Sequence, residues 1–294
     1  MQLFSIIPIE SFPYMDLRMN AEEKWRIAYF KEHKEQITAV REYFKENGPT
    51  ATEDLPNIKA GRTYFSWTNT SSKTALLEYL WDTGELMIHH RTNNRKYYDI
   101  TERVLPTKYR DKKVTRKEAQ LFYIHKNFDY LGIIRKPFIN RVGYAKTLDL
   151  GTTFNEEVKS GNIIQLQIDG VKTKYYTNRK NLQDLTAGVK SDEFKGTFIL
   201  APLDPLVIER SLLTDIFHFH YRWEAYTPPS LRKHGFYNMP ILMNGEFIGQ
   251  IALKKDEGRI LRTETLTFNK RHTKSIEKEV RKEVKKLQQF INRD

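Results

Sequence analysis

The chain has 294 residues, enough for two or three compact domains, and its 39% hydrophobic and 13% aromatic content excludes wholesale disorder. The net charge is +12, which favours a polyanionic partner such as nucleic acid or an anionic membrane surface. The absence of cysteine excludes disulfides and thiolate metal sites and fits a cytoplasmic protein. No apolar stretch approaches the ~20 residues that a membrane helix needs, so we expect no membrane partner.

The positive charge is concentrated in two segments. Residues 91–117 hold ten Lys and Arg against three acidic residues, and residues 270–294 hold nine against four. These two segments account for the whole net charge. They are therefore the first candidates for contact with a polyanion.

The first part of the chain, residues 21–110, follows the order of a winged helix-turn-helix. Apolar residues at helical spacing predict one long helix from Glu22 to Asn47, and Thr50–Glu53 resembles a capping box that opens a short second helix. A third helix is predicted from Ser72 to Thr83, followed by a hairpin that reverses at "RTNN". The third helix of this motif commonly enters the DNA major groove.

The same order recurs over residues 111–192, which predicts a second winged helix in tandem. The segment shows a capping box at Thr115–Glu118, a possible short helix from Pro137 to Val142, a second capping box at Thr153–Glu156, and a hairpin of "IIQLQI" and "TKYYTN" with its turn at Asp169-Gly170. Lys-Tyr-Tyr begins at Lys96 in one unit and at Lys174 in the other. The shared position supports a repeat.

Residues 193–294 have a different character and predict a β-rich domain with a basic terminal helix. A helix should follow Asp204-Pro205, "FHFHYRWEAY" alternates as a strand does, and "MPILMNGEFIGQIAL" predicts a hairpin with its turn at Asn244-Gly245. From about Lys274 the chain has the spacing of an amphipathic helix. The predicted fold class is thus α+β, with tandem winged helices before a β-rich domain.

His218 and His220 would share one face of the predicted strand, a spacing that can chelate a metal ion. With no cysteine and no evident third ligand, an ordinary polar strand face is the better interpretation. No phosphate-binding loop or other cofactor motif occurs in the sequence. We predict neither a metal nor a cofactor.

Three stretches resemble one protein family over essentially the whole chain. They are "SIIPIESFPYMDLRM" from Ser5, "KYYDITERVLP" from Lys96 and, most specifically, "APLDPLVIERSLLTDIFHFHYRWEAYTPPSLRKHGFYNMPILMNGEFIGQIALKKD" from Ala201. They resemble the winged-helix DNA glycosylases typified by AlkZ and YcaQ. The resemblance implies a DNA repair protein whose relatives hydrolyse the N-glycosidic bond of alkylated or crosslinked bases.

The resemblance also implies where catalysis belongs. The family motif is Gln-hydrophobic-Gln or Gln-hydrophobic-Asp in the first winged helix, upstream of the segment that Ser5–Met19 matches, so residues 1–20 would be the end of that domain. We expect the motif to be missing from this chain and no residue in it to be catalytic. Gln165, Gln167 and Asp169 form two overlapping tripeptides with these patterns, but they lie in the last wing. Alternation places both glutamines on a solvated strand face, and Asp169 belongs to the turn.

The predicted partner is double-stranded DNA, possibly alkylated or crosslinked, bound by a monomer. The candidate DNA-binding residues lie at the start of the third helix, in the first wing and in the loop after Pro228-Pro229; they are Ser72, Lys73, Arg91, Asn93, Asn94, Arg95, Lys96, Arg232, Lys233 and His234. The alternative function is a winged-helix transcriptional regulator. A regulator should dimerise and bind a pseudo-palindromic operator, whereas a repair module should show little sequence preference.

Overall fold

The structure, a computed structural model, describes residues 7–21, 23–58, 71–93, 95–140, 148–187, 194–256, 260–269 and 273–292. Contacts group the chain into two compact units, Met1–Ile124 with Asn140–Thr153, and His125–Ile139 with Phe154–Asp294. The architecture is mixed, with a β-rich C-terminal part, as the sequence predicts. Within the described residues, no helix is both long and apolar enough to span a membrane.

The first unit begins with helices and a small sheet. Its elements are a 3-10 turn (Ile9–Ser11), α1 (Phe12–Met19), α2 (Lys24–Glu32), α3 (Lys34–Asn47), β1 (Thr50–Ala51), a 3-10 turn (Thr52–Asp54), α4 (Ser72–Asp82), β2 (Leu86–Thr92), β3 (Arg95–Ile100), α5 (Thr101–Val104) and α6 (Thr107–Arg110). The strand order is β1-β3-β2, all antiparallel. Ile37, Phe44 and Leu80 are fully buried in its core.

The prediction of one long first helix is wrong. The helix breaks at His33, whose backbone leaves the helical region at φ −120° and ψ 25°. The His33 ring is buried edge-on against Tyr29, with 4.5 Å between ring centroids. The C-terminal end at Asn47 is confirmed, because Gly48 follows with φ +74°.

The capping box predicted at Thr50–Glu53 is also wrong. Thr50 and Ala51 form β1 and pair with Tyr98 and Tyr97 of β3, and no side chain caps the 3-10 turn that follows. The third helix and the hairpin are confirmed, with Asn93 at φ +54° in the hairpin turn. β1 could not be predicted from its neighbours in the chain because Thr50 pairs with Tyr98, 48 residues away.

The next segment contains α7 (Arg116–Leu131), a 3-10 turn (Lys136–Phe138), α8 (Leu150–Lys159), β4 (Ile163–Leu166), β5 (Tyr175–Asn178) and α9 (Arg179–Ala187). Helices α7 and α8 each contribute residues to both units. The α7 capping box is confirmed: the Thr115 amide donates to Glu118 at 2.8 Å, and the Glu118 amide donates to the Thr115 hydroxyl at 3.2 Å. The short helix predicted from Pro137 is a 3-10 turn one residue earlier, and 141–142 of that prediction lie outside the described residues.

The second predicted capping box, at Thr153, is wrong because α8 starts three residues earlier and Thr153 lies inside it. The Thr153 hydroxyl donates instead to the Gln120 side chain at 2.8 Å. The hairpin is confirmed with a shorter first strand, which ends at Leu166. Tyr176 forms a β-bridge with Ile134, and Tyr98 pairs with Thr50 in the same way. The two Lys-Tyr-Tyr stretches therefore hold corresponding positions in their hairpins.

The C-terminal part contains β6 (Thr197–Ile199), α10 (Pro205–Ile208), α11 (Arg210–Phe217), a 3-10 turn (Pro229–Leu231), β7 (Asn238–Met243), β8 (Glu246–Lys255), β9 (Leu261–Phe268) and α12 (Lys274–Ile291). The four strands form an antiparallel sheet in chain order. Val280 of α12 is fully buried against Met239, Ile241 and Ile251. The predicted α12 and the β7–β8 turn, with Asn244 and Gly245 at positive φ, are confirmed.

The strand predicted at "FHFHYRWEAY" is wrong. Phe217 ends α11, His218 adopts a left-handed conformation at φ +50°, and the rest of the segment has no strand partner. Phe219 and Tyr221 are nevertheless buried, and the Phe219 ring stacks on Phe247 at 4.9 Å. The alternation of apolar and polar residues therefore reflects an extended segment that buries every second side chain, and not a β-strand.

Candidate nucleic-acid interface

The start of α4 carries two of the predicted DNA-binding residues. The Ser71 side chain caps the helix by accepting a hydrogen bond from the Thr74 amide at 3.4 Å, so Ser72 occupies the first turn. The ammonium of Lys73 donates to the backbone carbonyl of Leu55. Lys73 therefore holds the chain that follows β1, and its charge is partly engaged within the protein.

The β2–β3 hairpin presents two further cations. Arg91 is exposed and lies directly opposite Lys96, which is half-buried. Burial and then the nearby Arg91 charge lower the pKa of Lys96, while Glu78 opposes them. Asn93 forms the turn, and Asn94 lies outside the described residues. The side of the hairpin that carries Arg91 and Lys96 can approach a phosphate.

Arg95 is already bound by two carboxylates. Its guanidinium lies 2.6 Å from Asp54 and 3.1 Å from Glu53, both in the 3-10 turn after β1. The hydrogen bond with Asp54 raises the pKa of Arg95. These pairs are exposed to solvent, where such contacts are weak, so DNA could displace the carboxylates.

Two histidines that the sequence interpretation passed over lie beside these cations. His89 and His90 are neighbours in β2, where they should point to opposite faces, but a bulge between Ile88 and His90 interrupts the pairing. Their Nδ1 atoms lie 2.8 Å apart, and the His90 ring stacks on Tyr97 at 4.4 Å. A bulge depends on tertiary packing, so the sequence does not indicate that these two histidine rings lie together.

The second unit contains the other predicted loop, and a buried carboxylate fixes it. Glu224 is 5% exposed, and its Oε2 accepts hydrogen bonds from the backbone amides of Lys233 at 2.9 Å and His234 at 2.8 Å. Burial alone would raise the pKa of Glu224, but these amide donors bring it below its usual value. The Arg232 guanidinium donates to the Thr227 carbonyl at 2.8 Å.

A polar cleft of about 320 Å³ opens beside this loop. Its lining combines the predicted Lys233 and His234 with residues that the sequence interpretation did not select: Thr214, His220, Tyr221, Arg222, Glu224, Thr227, Leu231 and Gln250. Glu224 could not be selected from the sequence because it lies in the segment wrongly predicted as a strand. Within the part of the chain that the structure describes, no group of three or more His, Asp or Glu side chains could hold a metal ion.

The predicted residues thus fall into two separate groups. Arg232, Lys233 and His234 belong to one loop of the second unit, and the described residues from Ser72 to Lys96 belong to the first. Each group combines cations with hydrogen-bond donors, as surfaces that contact a phosphodiester backbone do.

Comparison with known proteins identifies the family. A family model described as DNA glycosylase AlkZ-like matches residues 4–290. The chain therefore belongs to the AlkZ-like DNA glycosylase family, as its sequence motifs indicate. Among solved structures, the Streptomyces sahachiroi DNA glycosylase AlkZ is similar, with a TM-score of 0.54 and 15% identity over 95% of this chain and 73% of that one. At this identity the structural likeness shows the fold alone.

Proposed function

We propose that this chain binds double-stranded DNA as a monomeric repair module, through winged helices over residues 21–110 and 111–192 and a C-terminal domain over 193–294. The family match across residues 4–290 carries the proposal. The two segments share the order helix, 3-10 turn, helix and hairpin, and Tyr98 and Tyr176 pair at corresponding positions. Both features support a repeated winged helix.

Electrostatics supports DNA as the partner. The exposed Arg91 and the adjoining Lys96 lie on the first hairpin, and the net charge is +12. A protein that neutralises phosphates releases condensed counterions, so its affinity depends steeply on salt. We expect this dependence for duplexes of unrelated sequence.

The test is fluorescence anisotropy with labelled duplexes at several salt concentrations. If the chain contacts 6 to 10 phosphates, its affinity should fall by about 10³- to 10⁵-fold between roughly 50 and 200 mM salt. Affinity that does not change with salt contradicts the proposal. Footprinting and light scattering distinguish the repair module from a transcriptional regulator, because a regulator would dimerise and protect a pseudo-palindromic site.

We also propose that residues 1–294 bind DNA without excising a base on their own. Gln165 and Gln167 form the only Gln-hydrophobic-Gln tripeptide in the sequence, and Gln167 and Asp169 form the only Gln-hydrophobic-Asp tripeptide. Both glutamine side chains are exposed, Gln165 on β4 and Gln167 just after it, and Asp169 is exposed in the turn that follows. An exposed strand face offers no water-excluded pocket around an anomeric carbon.

A further inference from the structure

One loop of the second unit exposes large apolar side chains beside its cations. Tyr226 is 84% exposed, Leu231 66% and Phe236 51%, and Tyr237 is also exposed. Single exposed apolar residues are ordinary, but a contiguous group commonly marks a binding surface. We call residues 226–237 the aromatic loop.

The backbone of the aromatic loop is fixed from beneath. Besides the amide bonds to Glu224, the Thr265 hydroxyl donates to the His234 carbonyl. Gly235 has φ +101°, and a Cβ there would lie 2.6 Å from the Ala252 side chain. The exposed side chains therefore extend from a preorganised backbone, which lowers the entropic cost of binding.

The aromatic rings form a connected group. Trp223 makes edge contacts with Tyr226 at 5.5 Å and with Tyr237 at 5.9 Å, which hold both tyrosines in place. The Arg232 guanidinium lies 4.9 Å from the centre of the Phe236 ring. Aromatic rings and arginine planes are the groups on which proteins stack unpaired bases.

The polar cleft beside the loop provides complementary chemistry. Lys233 and His234 belong to both, and His220, Arg222 and Gln250 add donors and acceptors to its lining. Its volume of about 320 Å³ lies at the lower end of the range for small-molecule sites. A phosphate or a base edge would find charge and hydrogen bonds there.

We propose that the aromatic loop and this cleft form a subsite for an unpaired nucleotide, in which Tyr226 or Phe236 stacks on the base and the cations hold the adjoining phosphate. The inference rests on the proposed DNA binding and adds that the bound DNA contains an unpaired nucleotide. Cations within the apolar surface and a polar cleft favour nucleic acid over a protein partner. Stacking also tolerates any base, because every base has a π-face.

The test compares a duplex that contains one bulged 2-aminopurine with the same duplex fully paired. The wild type should bind the bulged duplex more tightly and change the fluorescence of the unpaired 2-aminopurine. The Tyr226→Ala/Phe236→Ala variant should lose about 5- to 150-fold of affinity for the bulged duplex, the range expected for one lost stack. Its affinity for the paired duplex should change little.

A matched control is Phe198→Ala, which removes another exposed ring, 43% exposed on β6 of the same unit. It should leave both affinities unchanged. Tyr226→Trp/Phe236→Trp should preserve the preference for the bulge, whereas Tyr226→Leu/Phe236→Leu should lose it. The contrast depends on a π-face rather than on apolar area, and an unchanged affinity of both variants for the paired duplex excludes a fold defect.

The outcomes separate this inference from the proposed function. Failure of the wild type to bind either duplex overturns the proposed function. Binding to both duplexes with equal affinity, or an unchanged preference in the double alanine variant, overturns the subsite alone. An unchanged preference in the double alanine variant would favour a protein as the partner that binds the aromatic loop.

Discussion

At the scale of single residues, two buried carboxylates organise the backbone around them, and one of them, Glu224, lies beneath a candidate site. Asp82 accepts hydrogen bonds from Arg26 and Arg18, and Arg26 also donates to backbone carbonyls of Arg18 and Met19. Glu224 performs the corresponding task for the aromatic loop. A buried charge is tolerated only where it is paired and hydrogen-bonded, so each carboxylate specifies the local backbone.

We predict that Glu224→Gln lowers the free energy of unfolding by about 1 to 3 kcal/mol at pH 7, because charge-assisted hydrogen bonds to two amides are weakened. The folded-state pKa of Glu224 is depressed, so its stabilisation is present above the usual glutamate pKa of about 4.3 and is lost as the pH falls through the lower folded value. Urea unfolding between about pH 3 and 7 measures the difference.

The control for Glu224→Gln is Asp184→Asn, an exposed carboxylate on α9 of the same unit. It should change stability by at most about 0.5 kcal/mol. A difference between wild type and Glu224→Gln that persists unchanged at pH 3 would contradict the assigned pKa direction.

The sequence identified part of this chemistry. Arg232, Lys233 and His234 were recognisable because prolines, cations and an aromatic residue occur together within ten residues. Glu224 was not, because its function depends on a turn that brings the Lys233 amide back to it. Lys73 and Arg95 also bind groups of the protein itself, although the sequence alone suggests that both cations are available to DNA.

At the scale of elements, local signals predicted helix ends and hairpin turns. Gly84 and Gly132 end helices at positive φ, as expected for C-terminal glycines, and Asn244-Gly245 closes its hairpin. One miss depends on a distant partner, because β1 exists only through its pairing with β3. The other is β9, which is absent from the predicted elements and pairs with the preceding strand β8. Propensity within a short window cannot supply those partners.

The first hairpin yields an element-scale prediction. In Glu53→Gln/Asp54→Asn, Arg95 loses both carboxylate partners and two negative charges leave its surroundings. If this hairpin approaches the phosphates, the variant should bind duplex DNA more tightly than the wild type, with a salt slope steeper by about 1. Anisotropy titrations over a salt series measure both quantities.

The charge-matched control is Glu42→Gln/Glu46→Gln, which removes two exposed carboxylates from α3. A general charge effect would strengthen binding equally in both variants. An unchanged slope in the Glu53→Gln/Asp54→Asn variant would mean that the first hairpin does not contact phosphates, and the aromatic loop would become the main candidate.

At the scale of the whole molecule, the family membership could be predicted because it depends on patterns spread over long stretches of the chain. The family model matches residues 4–290, which include the segment from Ala201 to Asp256 that carries most of the resemblance. The two compact units could not be predicted, because two of their three boundaries fall inside α7 and α8 rather than in linkers.

The whole-molecule prediction concerns base excision. Water-positioning and acid–base groups typically contribute 10²- to 10⁴-fold to a rate, and they require a site that holds the reacting atom near them. Gln165 is exposed on β4 opposite Tyr176, and Gln167 is exposed beyond the end of that strand. We therefore expect neither glutamine to act on a base.

The purified chain and its Gln165→Ala/Gln167→Ala variant should both release N7-methylguanine from a duplex no faster than a protein-free control. Abasic sites are cleaved after incubation and the broken strands are counted. Because exposed strand positions change stability by only about ±0.5 kcal/mol, the variant should remain folded and retain most of its DNA affinity, which makes the comparison fair. Base release by the wild type that disappears in the variant would show that the two glutamines are catalytic.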